Sequence, residues 1–255
     1  MTLLIDVGNS AVKWAWLADG AIGAVQRQLH RDVPDLAARL ATALRAPVGG
    51  RGDVIACNVA SAEVVRAVEE AVRGVGLGPI EWLRAEARFD AGPVLVNGYR
   101  EPTQLGPDRW HAMLGACDIV PGGSFVVANA GTATTVDCVK SSADGARFIG
   151  GCIAPGVRLM LDSLARGTAA LPRAAGAAAD FPDNTDSAIV TGVLDAQAGL
   201  VERVWRRFAA AIGTKPRLLL AGGHADALFD RLPQESAGLI EHNLVLRGLA
   251  VRIRQ

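Results

Sequence analysis

Asp6, Gly8, Asn9 and Ser10 stand together in one bend of the stretch LLIDVGNSAVKWAWL, residues 3 to 17. A bend between two apolar runs needs one glycine; this one also carries a carboxylate, an amide and a hydroxyl. A strand that ends in a polar glycine turn exposes backbone N–H groups with no ladder partner, and such a concave set of donors suits phosphate oxygens. Gly8 has no Cβ, so an anion can approach the backbone closely. Asn9 and Ser10 add side-chain donors. Asp6 would repel phosphate by itself, and makes sense holding a magnesium ion against it.

The same pattern returns in SFVVANAGTATTVDCV, residues 124 to 139. Setting Asp6 against Asn129 aligns Gly8 with Gly131, Asn9 with Thr132 and Ser10 with Ala133, while Thr132 and Thr134 supply hydroxyls. Either turn alone is better explained as a tight hairpin in which Asp6 or Asn129 bonds the backbone two residues on. Two copies in register favour phosphate binding, and two such turns facing each other would clamp a polyphosphate. Competing motifs are missing from the sequence: there is no G-x-x-x-x-G-K-[ST], GVGLG at 74 to 78 does not match G-x-G-x-x-G, and neither G-x-S-x-G nor H-E-x-x-H occurs.

The elements that must carry these turns follow from periodicity. Strands are expected at 3–6 and 12–17 around the first turn, with a hairpin at ADG (18–20), then at 53–60 and 80–83. Helices are expected at 34–46, after a proline, and at 61–76, opened by a serine cap and closed on glycine. Residues 86 to 109 read as a long loop, 108 to 120 as a helix, and PGG at 121 to 123 as a domain boundary. Beyond it come strands around the second turn, a turn at 141–146, a mobile loop at 174–187, a strand at 216–223 and a helix from 236 to 254. An internal duplication of one α/β unit, over 1–120 and 121–255, accounts for both halves.

Composition bounds the function. Half of the 255 residues are hydrophobic and a fifth charged, as in a soluble globular protein with a large core. Lys plus Arg and Asp plus Glu balance at 26 each, which removes a whole-protein electrostatic case for nucleic acid. Cys57, Cys117, Cys138 and Cys152 lie far apart without zinc spacing, and read as buried reduced thiols. No apolar run is long enough to cross a bilayer and no signal peptide precedes the first strand, so a cytoplasmic location with no membrane partner is expected.

DVGNS, GPDR at 106–109, AGTATTVD at 130–137, GGCIAPG at 150–156 and AGG at 221–223 occur in that order, and together they resemble the type III pantothenate kinases, of the acetate kinase/Hsp70/actin-like superfamily. The resemblance covers essentially the whole chain. It implies two duplicated ribonuclease H-like domains, the actin-like ATPase fold, with a nucleotide cleft between them. It also implies phosphorylation of the primary hydroxyl of pantothenate by ATP, the first step towards coenzyme A, with Mg2+ and a monovalent cation (K+ or NH4+). Family members are homodimers.

Carried over by position, Asp6, Val7, Gly8, Asn9, Ser10, Ala11, Val12 and Lys13 form the first phosphate loop, and Thr132 lies in the second. Tyr99, Gly106, Pro107, Asp108 and Arg109 match the pantothenate contacts, with Asp108 as general base, and Thr185 matches a threonine that the partner subunit supplies. The residue chemistry agrees in part: a carboxylate can accept the proton of a primary alcohol as transfer proceeds, and Arg109 suits a carboxylate or phosphate charge. PDRW is equally well explained as a helix N-terminus, with Asp108 at the positive end of the dipole. Tyr99, the one tyrosine in the sequence, fits core packing or a hydrogen bond to a polar substrate. His111 and His224 carry no assigned role.

One position departs from the pattern. The family has aspartate where this sequence has Asn129, and that aspartate ligates the monovalent cation. Asparagine offers a single neutral oxygen and two donors, so a weaker hold is expected. Altered cation dependence, compensation by another oxygen and reduced activity all follow as options. A nucleotide-binding transcriptional accessory protein without turnover is the alternative that Asn129 keeps open.

Overall fold

The apolar run before each glycine turn becomes the central strand of a sheet. In this computed structural model, which describes residues 1–30, 35–44, 52–169, 171, 174–236 and 238–253, the chain divides into two units, Met1–Pro121 with Asn243–Gln255, and Gly122–His242. The first unit runs β1 (Thr2–Val7), β2 (Ala11–Ala18), β3 (Ala21–Ile22), β4 (Gln26–Leu29), α1 (Leu36–Ala43), β5 (Asp53–Asn58), α2 (Ala62–Gly74), β6 (Ile80–Trp82), β7 (Arg88–Phe89), β8 (Leu95–Val96) and α3 (Pro107–Ile119). The second runs β9 (Phe125–Ala130), β10 (Ala133–Ser142), β11 (Gly145–Pro155), α4 (Val157–Gly167), α5 (Thr185–Ile212), β12 (Arg217–Ala221), α6 (Ala225–Phe229) and β13 (Leu239–Ile240). The chain ends on α7 (Leu244–Val251), which belongs to the first unit.

Five strands of each sheet follow one topology. In the first unit β1 pairs antiparallel with β2 and parallel with β5, β5 pairs parallel with β6, and β2 also carries β3 and β4. In the second, β9 pairs antiparallel with β10 and parallel with β12, β12 pairs parallel with β13, and β10 pairs antiparallel with β11. Both central strands have six residues and bury every one except the fifth, Asp6 in β1 and Asn129 in β9. Strands buried on both sides are continuous apolar runs because helices cover the sheet. On the first sheet Leu3, Ile5 and Val7 pack with α1 and α2, while Leu4, Ala15 and Cys57 pack with Leu246, Leu249 and Ala250 of α7. On the second, Val126, Ala128 and Leu220 pack with Val201, Val204, Trp205 and Phe208 of α5.

Several expectations change. The helix read over 236 to 254 is a 3₁₀ turn (Gln234–Ser236), the short strand β13 and then α7, with Arg254 outside the described residues. The last segment, placed in the second half from sequence, packs in the first unit. There Gly115 and Gly248 let α3 and α7 touch through their backbones: a Cβ on Gly115 would lie 2.3 Å from the Leu244 carbonyl oxygen, and one on Gly248 1.8 Å from that of His111. The mobile loop read over 174–187 ends at Asn184, whose Oδ1 accepts the Ser187 N–H at 2.9 Å and caps the 28-residue α5. Ser61 does precede α2, but its side chain makes no cap bond. Of the helix read over 34–46, Pro34, Arg45 and Ala46 lie outside the described residues. The hairpin at 18–20 forms with Asp19 and Gly20 both at positive φ, +50° and +74°, as a type I′ turn requires. Three of the four thiols are buried, Cys152 is half-buried and all four are free.

Candidate active site

The first turn begins with an apolar strand in which Asp6 alone is half-buried. Asp6 stands opposite Lys13 across β1 and β2, and beside Cys57 on β5. Burial pushes the Asp6 carboxyl up to about 6 despite the attraction of Lys13, and the charge of Asp108 pushes the same way. Burial also lowers Lys13. The Cys57 thiol reaches Asp6 Oδ1 at 3.9 Å, and burial beside two carboxylates holds it protonated. A carboxylate with one lysine and a second carboxylate near it is a hard-oxygen site short of positive charge, which a magnesium ion would relieve. No group of three or more His, Cys, Asp or Glu able to hold a metal occurs among the described residues.

Gly8 closes the turn by donating its N–H to the Ala11 carbonyl at 3.0 Å. His30, which motif reading passed over, faces the same turn: its Nε2 lies 2.7 Å from the Gly8 carbonyl oxygen and its backbone N–H donates to Ser10 O at 3.2 Å. No local signal marks it, because it reaches the turn only through the pairing of β4 with β2.

In the same unit, the run 97–109 is stapled by a residue that motif reading also passed over. Asn97 is 5% exposed; its amide donates to Glu86 O at 3.1 Å and Pro102 O at 3.2 Å, and its Oδ1 accepts the Tyr99 N–H at 3.1 Å. Most of the long loop read over 86–109 is therefore ordered, with β7 and β8 as a short hairpin. Tyr99 lies outside any strand, and its hydroxyl accepts from Arg109 Nη1 at 3.0 Å, with the guanidinium 5.7 Å from its ring centroid. Asp108 is in the first turn of α3, as the helix-terminus reading expects, and its Oδ1 accepts the Arg109 N–H at 2.8 Å. Burial raises its pKa against the pull of that N–H and of the Arg109 charge. Arg109 is buried. Gly106 leaves room for this geometry, since a Cβ there would lie 2.6 Å from Asp108 Oδ1. His111 is wholly buried, donates from Nδ1 to Pro107 O at 2.7 Å, and is held neutral, pushed down to about 4 by burial. A cavity of about 470 Å³ beside this turn is walled by Val65, Trp82 and Leu105 together with Asn58, Glu69 and Arg84, a mixed apolar and polar lining.

The second unit holds the second turn. Gly131 N–H closes onto Ala133 O at 3.2 Å, and Asn129 faces Thr135 across β9 and β10. This turn is one residue shorter than the first, so Ala133, aligned with Ser10 from sequence, is already in the strand and corresponds to Ala11. Two glycines press on it: a Cβ on Gly156 would lie 2.3 Å from Gly131 O and 2.6 Å from Thr132 O, and one on Gly222 2.7 Å from Asn129 Oδ1. GGCIAPG and AGG are therefore spacing devices for the Gly131–Thr132 turn. Thr135 Oγ1 is buried with no hydrogen-bond partner, on the face that Asn129 shares. Thr185 is exposed at the first position of α5 in this same unit.

A family model described as type III pantothenate kinase matches residues 2–207. The chain is 42% identical to a type III pantothenate kinase of Cupriavidus taiwanensis, over 97% of this chain and 95% of that one. It is also 42% identical to one of Aromatoleum aromaticum, over 100% and 98%. Among solved structures it resembles a putative 2-dehydro-3-deoxygalactonokinase of Sinorhizobium meliloti, with a TM-score of 0.56 and 17% identity over 99% of each chain. At that identity the likeness speaks for the fold alone.

Proposed function

The chain belongs to the type III pantothenate kinases, and from that premise we propose how its residues carry the reaction. The protein is a pantothenate kinase of two duplicated ribonuclease H-like units, phosphorylating pantothenate with ATP in coenzyme A biosynthesis. A divalent metal goes with that reaction; when bound, it neutralises charge on the transferring phosphoryl group. Asp6 would hold it, and the half-buried setting of that carboxylate, beside one lysine and a second carboxylate, supports the assignment.

Asp108 is the general base. The observation that carries this is a half-buried carboxylate whose charge bears on Asp6 and which stands next to the Arg109–Tyr99 pair. Its raised pKa makes it a better proton acceptor than an exposed aspartate. It takes the proton of the pantothenate primary hydroxyl as that oxygen bonds to the γ-phosphorus of ATP and the bond to the bridging oxygen breaks, leaving ADP and 4′-phosphopantothenate. Arg109, oriented by Tyr99, attracts the substrate carboxylate or the phosphoryl charge. The Gly8–Ser10 and Gly131–Thr132 turns, with Val7, Ala11, Val12 and Lys13 around the first, bind the phosphates.

Asn129 and Thr135 offer neutral oxygens to a monovalent cation, K+ or NH4+, held more weakly than by a carboxylate. Homodimerisation and a cytoplasmic location complete the reading. Support for a second chain is the 95% exposed Phe181, four residues before Thr185. The accessory-protein alternative is not favoured by kinase relatives that span nearly the whole chain. Purified protein with ATP, magnesium and pantothenate is expected to form 4′-phosphopantothenate; no product at any potassium or ammonium concentration would overturn the reading.

A further inference from the structure

We infer that His30 is a positioning residue for nucleotide binding, holding the Gly8–Ser10 turn so that the Asn9 N–H faces an incoming phosphate. This rests on the reading of that turn as a phosphate loop.

The bonds that hold the turn include Gly8 N–H to Ala11 O at 3.0 Å, His30 N–H to Ser10 O at 3.2 Å, and the His30 ring to Gly8 O at 2.7 Å. A carbonyl oxygen only accepts, so the ring presents Nε2–H to it. In a trans peptide the C=O and the next N–H point in opposite directions. Fixing the Gly8 carbonyl on the His30 side therefore sends the Asn9 N–H to the other. Loading the carbonyl with a donor also polarises the peptide and improves that N–H as a donor. The turn cannot achieve this alone, because its own closing bond uses the Gly8 N–H and the Ala11 carbonyl.

The placement of His30 is long-range. Pairing of Ala11 with Leu29 and Val12 with Gln28 brings the end of β4 back beside the turn. β4 itself buries no side chain, so the strand adds little to the core. Its contribution is to deliver His30.

The test is calorimetric titration of wild type, His30→Ala and His30→Gln with a non-hydrolysable ATP analogue and magnesium, beside initial rates for each substrate. His30→Ala is expected to weaken the analogue and raise KM for ATP about tenfold, leaving KM for pantothenate unchanged. His30→Gln, whose amide can donate to the same carbonyl, is expected to recover most of the loss. Wild-type affinity in His30→Ala, a loss that His30→Gln does not recover, or an equal rise in both KM values would overturn the inference. The underlying reading fails separately: Asn9→Pro, which removes the N–H, would then bind the analogue as wild type does.

Discussion

Asp6 and Asn129 occupy the same place in two copies of one strand. Each is the fifth residue of six, each is the half-buried member of an otherwise buried run, and each has an antiparallel neighbour on one side and a parallel one on the other. One carries a full charge and the other an amide dipole. The two halves therefore carry very different oxygens on matching scaffolds.

Replacing the amide tests that difference. Asn129→Asp is expected to lower the potassium concentration giving half-maximal rate by roughly fivefold to tenfold, equivalent to about 1–1.4 kcal/mol. Initial rates over a potassium series, repeated with ammonium, measure it. An unchanged profile would remove Asn129 from the cation site.

Asp108→Asn keeps the size and the hydrogen bond to the Arg109 N–H while removing the base. Turnover should fall by about 10²- to 10⁴-fold. Burial raises the pKa of this carboxylate, so its charge is costly in the native state, and the variant should melt no lower than wild type at pH 7.5. Product formation and a thermal melt on one preparation separate the two effects. A variant retaining most of its turnover would refute the base assignment.

Gly156 has φ −72°, open to any residue; what excludes a side chain is space, with Gly131 O 2.3 Å from a would-be Cβ. Gly156→Ala should push the Gly131–Thr132 turn out of place, raise KM for ATP by about tenfold or more and cost roughly 1–3 kcal/mol as overpacking. An ATP titration with a denaturant melt would show both. Normal KM would mean that the turn accommodates the methyl group.

His111 supplies a pH signature. Its folded pKa, near 4 against the usual 6.5, means that between these values the unfolded chain takes up a proton that the native state refuses. Stability from this group is complete above pH 6.5 and is lost as pH falls towards 4, by about 2 kcal/mol at pH 5. Its charged neighbours, Arg252 and Glu86, act in opposite directions, and burial dominates. His111→Phe should therefore lose less stability than wild type between pH 7.5 and pH 5, the other titrations cancelling in the difference. Melts at the two pH values that fell in parallel would show that His111 is protonated in the native state.

The strand, glycine turn and second strand were legible twice in the sequence because each is local: apolar runs must be buried, and a glycine among polar residues must turn. The ordered motifs led to the kinase family for the same reason, since contiguous residues carry phosphate chemistry. The sequence by itself thus determined the duplicated unit, and its resemblance to the family marked Asp108 and Arg109 in one short run.

Only the tertiary structure decided which distant residues serve those turns. His30 reaches Gly8 by way of strand pairing, Asn97 staples Tyr99 to Glu86 and Pro102, and Gly156 and Gly222 press on Gly131 and Asn129 from separate elements. The final helix joins the first unit because two backbones meet at Gly115 and Gly248. Contacts of this kind depend on shapes assembled from residues far apart in the chain, and no local periodicity encodes them.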